Sequence, residues 1–69
     1  MNISIFGKNV KRLRIEFGLS QAKFAKRLNV RQQYISKLEN NKIEPTVNIM
    51  FAIAQKFDVP IEELLDGIE

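Results

Sequence analysis

The chain has 69 residues, 45% of them hydrophobic, and eleven Lys and Arg against eight Asp and Glu give a net charge of +3. That bounds it to one domain over residues 1–69, held by packing alone: without cysteine or histidine, disulfides, thiolate metal sites and imidazole chemistry are excluded. No apolar run approaches the ~20 residues that span a bilayer, and no secretory leader pattern opens the chain, so a cytoplasmic protein without a membrane role is expected.

Five helices are expected in chain order, and no stretch of useful length alternates in the manner of a strand. The first runs from Ser4 to Phe17, because Phe6, Val10, Leu13 and Phe17 step by four, three and four into one apolar stripe. Gly18 then supplies a left-handed residue that ends a helix without strain. Ser20 caps a second helix, Gln21 to Leu28, with Phe24, Ala25 and Leu28 facing inward. Asn29 follows, and asparagine tolerates positive φ better than most residues. The third helix, roughly Gln32 to Asn40, has Tyr34, Ile35 and Leu38 at helical spacing but starts poorly. Its N-cap position holds Arg31 rather than Ser, Thr, Asp or Asn, and Gln32 and Gln33 follow at once. Asn40 and Asn41 suit a left-handed end. Thr46 caps the fourth helix, whose buried stripe is read as Val47, Met50, Ile53, Ala54 and Phe57. Asp58-Val59-Pro60 breaks the chain before a short last helix through Ile61, Leu64 and Leu65 to about Asp66. Pro60, Glu62 and Glu63 suit its first turn.

Charge is placed unevenly along these helices. Residues 1–42 carry ten Lys and Arg against Glu16 and Glu39, a net of +8, whereas residues 43–69 carry Lys56 against six carboxylates, a net of −5. Such a split suggests one side that faces a polyanion and one turned away from it.

Residues 20–40 read as helix, tight turn, helix. Ala25 is small where the two helices cross, Asn29 takes the turn, and Ile35 and Leu38 pin the second helix to the core. That is the pattern of a helix-turn-helix, whose second helix enters the DNA major groove. The runs GKNVKRLRIEFGLSQAKFAKRLNV, ISKLENNKIEP and FDVPIEELL extend the match over about residues 5–66. With these runs the chain resembles the phage repressor and Cro-like helix-turn-helix family, which includes bacterial regulators, restriction–modification controller proteins and some antitoxins. The resemblance implies an all-α fold, a compact five-helix lambda-repressor-like domain that binds pseudo-palindromic double-stranded operator DNA as a dimer. Two departures stand out: glycine is usual in the family where this chain has Asn29 and Asn41, and Ser or Thr where it has Arg31.

The resemblance also assigns roles. Gln32, Gln33, Ser36 and Lys37 match the positions that face base edges, where glutamine pairs with adenine and lysine with guanine. Gln21 matches a glutamine that touches phosphate, and Asn40, Asn41 and Lys42 match a loop that contacts the backbone. Lys23, Arg31 and Tyr34 are placed with the backbone contacts from their charge or hydroxyl and position. Solvation alone also accounts for two glutamines in a first turn, or for Lys23, Lys26 and Arg27 on one helix face. Arg14 and Glu39 match an arginine and glutamate that form a structural ion pair between helices in the family.

The fourth helix has more apolar surface than one stripe needs. Ile49, Phe51 and Ala52, with Ile61 and Ile68, are therefore expected to form a homodimer interface. The expected function is a sequence-specific transcriptional regulator, a repressor. The alternative is an antitoxin-like or restriction–modification controller module whose main partner is another protein. No nucleophile–base pair or phosphate-binding glycine loop is present, so an enzyme, a cofactor or a small-molecule ligand is not expected.

Overall fold

A computed structural model describes residues 4–67. It contains α1 (Ser4–Glu16), α2 (Gln21–Leu28), α3 (Gln32–Glu39), α4 (Val47–Lys56) and α5 (Ile61–Leu64), with no strand among the described residues. Each of the first four helices stops in the same way. Gly18, Asn29, Asn41 and Asp58 all have positive φ, between 52° and 68°. At each site the next residue donates its N–H to a carbonyl five positions back, as in Leu19 to Arg14 and Val30 to Ala25. The pattern repeats from Lys42 to Lys37 and from Val59 to Ala54. These bonds satisfy carbonyls that a helix end otherwise leaves open. Three of the donors, Leu19, Val30 and Val59, also rest their side chains against the core.

Ser20 and Thr46 cap α2 and α4, accepting from the backbone N–H of Lys23 and Ile49, both at 3.1 Å. Arg31 occupies the N-cap of α3 in extended conformation and makes no side-chain cap bond. Pro60 lies at the N-cap of α5 rather than inside its first turn, and that helix closes at Leu64, short of Asp66.

The core joins Phe6, Val10 and Leu13 of α1 to Phe24, Ala25 and Leu28 of α2, Ile35 and Leu38 of α3, Ile49 and Ile53 of α4, Phe57 and Leu64. Phe24 and Phe57 stack with ring centroids 4.6 Å apart, and the Arg27 guanidinium lies 5.8 Å from the Phe57 ring centre. Phe17 departs from the expected stripe. The helix ends at Glu16, and Phe17 is 42% exposed, its ring in a T-shaped contact with Phe57 at 5.1 Å.

The fourth helix corrects the sequence reading more substantially. Its buried line is Ile49, Ile53 and Phe57, at i, i+4 and i+8, while Met50 and Ala54 are half-buried and Val47 is 60% exposed. Ile49 is only 7% exposed and therefore belongs to the core, not to a dimer interface. The reason is compositional: Val47–Ala54 is apolar at every position but Asn48, so periodicity there does not select a face. Phe51 is 57% exposed, Ala52 and Ile61 are half-buried, and Ile68 lies outside the described residues.

Two contacts lock α1 across the molecule. Asn9 is buried and donates through Nδ2 to the carbonyls of Leu64 and Asp66, at 2.8 and 2.9 Å, closing the end of α5. Gly7 faces the end of α3 so closely that a Cβ there would lie 2.5 Å from both Leu38 O and Asn41 Oδ1.

Candidate nucleic-acid interface

The second and third helices form the candidate interface because their inward faces are fully committed to the core. Phe24, Ala25 and Leu28 bury one side of α2, and Ile35, Leu38 and Glu39 bury one side of α3. What remains outward on α3 is polar. Gln32, Gln33 and Lys37 are exposed and Ser36 is half-buried. At i, i+1, i+4 and i+5, these four residues share one face of the helix.

Along one edge of that face an open groove of about 730 Å³ is lined by Val30, Arg31, Gln33, Tyr34, Lys37 and Ile43. Val30, Tyr34 and Ile43 pack against the core, so their outer edges form an apolar floor beneath two cations and an amide. Ile43 was not among the residues singled out from sequence. Its place follows from the left-handed turn at Asn41, which folds the next segment back beside α3.

Asn40 is occupied locally: its Nδ2 donates to Ser36 O at 2.9 Å and lies 3.4 Å from Ser36 Oγ. Asn41 serves the turn through its backbone, and Lys42 is exposed beside it. Lys23, Lys26 and Arg27 surround a second, smaller concavity with Leu19 on the outer side of α2.

Arg14 and Glu39 lie at the centre of a buried polar cluster. Arg14 Nε donates to Glu39 Oε2 at 2.6 Å and Nη2 to Oε1 at 3.0 Å, a bidentate pair, while Nη1 donates to Leu19 O at 2.9 Å. The Glu39 side chain is only 3% exposed. Its hydrogen bond raises the Arg14 pKa above the usual guanidinium value, against the opposing effect of burial. Gln21 joins the cluster, donating Nε2 to Glu39 Oε1 at 3.1 Å, so its amide is engaged within the molecule.

Few cations are paired with an acid. Among the described residues, only Arg12, with Glu16 at 3.6 Å, and Arg14 have acidic partners. Lys8, Lys11, Lys23, Lys26, Arg27, Arg31, Lys37, Lys42 and Lys56 are all exposed without one. Uncompensated cations on these helices create a positive field.

A family model described as helix-turn-helix matches residues 10–64, which takes in every helix from the middle of α1 to the end of α5. The chain belongs to the helix-turn-helix family. One relative of this helix-turn-helix chain, an uncharacterized transcriptional regulator from Sinorhizobium fredii, is 39% identical over 61 residues, covering 88% of the chain and 79% of the relative. Another, from Cereibacter sphaeroides, is named a propionyl-CoA carboxylase regulator and is 34% identical over 58 residues. The match takes in 84% of this chain but 13% of that protein, so the chain spans about an eighth of the length of that relative. The helix-turn-helix fold also superposes on the restriction-modification controller protein C.AhdI from Aeromonas hydrophila. There the TM-score is 0.83 at 24% identity, over 90% of this chain and 94% of the other. Among the described residues, no helix is long and apolar enough to cross a membrane.

Proposed function

We propose that this helix-turn-helix transcriptional regulator reads operator DNA by laying α3 in the major groove. Gln32, Gln33, Ser36 and Lys37 meet base edges, and Gln21, Lys23, Arg31, Tyr34 and Lys42 meet the sugar-phosphate backbone on either side. Asn40 and Asn41 approach the backbone through the loop they shape. The protein acts in the cytoplasm as a homodimeric repressor, on half-sites about one helical turn, ~34 Å, apart.

One observation carries this reading above the rest. The outward face of α3 presents two glutamines and a lysine whose side chains take no part in the core or in a capping bond, beside exposed cations without acidic partners. Side-chain amides in the first turn of such a helix are suited to bidentate pairing with adenine. Self-association is supported by Val47 and Phe51, which stand four residues apart on the outer face of α4, exposed and apolar.

Selection of bound duplexes from a random pool tests the proposal directly. The expected product is a pseudo-palindrome, bound with an affinity that falls steeply as salt rises, because cations on the protein displace counterions from phosphate. A pool that returns no preferred sequence would overturn the reading.

A further inference from the structure

Gln21 opens α2, and among the described residues its side chain has a single hydrogen-bond partner, Glu39, to which Nε2 donates at 3.1 Å. That carboxylate is gripped by Arg14 through both oxygens, at 2.6 and 3.0 Å. Arg14 is itself tied to the Leu19 carbonyl, just before the Ser20 cap of α2. The acid at the end of α3 thus holds the first side chain of α2, beside the free backbone N–H groups of that helix start.

Amide chemistry gives this arrangement a consequence. A primary amide carries two N–H donors on its nitrogen and an acceptor on its oxygen, whereas a carboxylate only accepts. Glu39 therefore draws the nitrogen inward and fixes which way round the amide lies. One N–H is used and one is left. A DNA phosphate also only accepts, so Gln21 meets it productively through that second N–H alone. With the amide reversed, its carbonyl would face the phosphate and repel it.

We propose that Glu39 is a positioning residue for DNA binding: it orients the Gln21 amide so that the remaining N–H donates to a backbone phosphate at the start of α2. Helix N-termini favour anions there. The charge of Glu39 does not oppose the phosphate, because the bidentate Arg14 guanidinium neutralises it and the side chain is buried. The inference rests on the DNA-binding reading above and deepens it.

The test uses the duplex that the wild-type protein selects from random DNA, with its phosphates ethylated one at a time. Wild type, Gln21→Ala, Glu39→Gln and the double variant are compared, each shown by circular dichroism to be folded at the assay temperature. In the wild type, ethylation of one phosphate beside α2 should block binding. Both single variants should become insensitive to that phosphate alone and bind about tenfold more weakly, as for a lost hydrogen bond to a charged group. The double variant should bind no more weakly than either single one. A Gln21→Ala loss that persists in full in the Glu39→Gln background overturns the inference. If Glu39→Gln does not fold, the side-chain amide protons of Gln21 in the wild type decide by NMR. DNA should shift one proton and leave its partner, held by Glu39, in place; shifts of both or of neither sink the idea. Failure of the pool to yield a preferred duplex removes the DNA reading and this inference together. Interference at other phosphates, with none at α2, removes this inference alone.

Discussion

Arg31 sits at the start of α3 with extended backbone, an exposed side chain and no capping bond, so the first N–H groups of that helix lack the partner a Ser or Thr would give. Its cation also stands at the positive end of the helix dipole. In the free protein both effects weaken α3; against a phosphate both are reversed in sign. Arg31→Ser should therefore stabilise the free protein by about 1 kcal/mol, seen as a higher melting temperature, while lowering DNA affinity. An unchanged affinity would contradict this account. Substitutions at Gln33 and Lys42 test the two kinds of contact proposed. Gln33→Ala should relax preference at one base pair by about 1–3 kcal/mol, measured on duplexes varied at each position. Lys42→Ala should weaken all duplexes alike and reduce the slope of log affinity against log salt by about 0.9. At this scale the sequence was legible where chemistry is local. The missing cap at Arg31 and the left-handed Asn29 needed only their neighbours to be read, whereas the engagement of Gln21 by Glu39 joins residues eighteen apart and became visible only in three dimensions.

At the scale of helices, ends were easier to read than faces. Gly18, Asn29 and Asn41 announce their turns by residue type, and Asp58 does so less clearly, because aspartate enters the left-handed region less readily than glycine. A better cue was available in the apolar residue that follows three of these turns, at Leu19, Val30 and Val59. The face of α4 is not legible from spacing because almost every residue in Val47–Ala54 is apolar, and only packing against the other helices decides that Ile49 and Ile53 turn inward. The approach of α1 to α3 was equally hidden, since Gly7 lies within a helix and looks like a defect there. Its meaning is steric: an alanine at that place would drive Cβ into Leu38 O and Asn41 Oδ1, both 2.5 Å away. Gly7→Ala should destabilise the fold by about 1–3 kcal/mol, although alanine is the better helix former. A denaturation midpoint equal to that of the wild type would show that α1 and α3 can separate without cost.

Over the whole molecule, the basic α1–α3 half and the acidic end impose a direction on any encounter with a polyanion. Exposed apolar residues lie in both parts: Ile15 and Phe17 at the end of α1, Val47 and Phe51 on α4, and Leu65 just after α5. Phe51→Ser should leave folding intact and shift the protein toward monomer in sedimentation experiments. Binding to a full pseudo-palindrome should fall more than binding to a single half-site. If wild type and variant sediment alike as monomers at high micromolar concentration, with DNA present as well as absent, the homodimer is excluded.

Gln32, Gln33 and Lys37 are exposed, and none of them, nor Ser36, belongs to the hydrophobic core that holds α3. The helix is braced from behind by Ile35, Leu38 and the Arg14–Glu39 pair. On the proposed reading, the base-facing residues of this eight-residue helix are not the ones that bury it. Exchanging the four outward residues would therefore leave the packing of α3 as it is. If α3 reads bases as proposed, substitutions at these four positions should change the preferred duplex while leaving the core untouched.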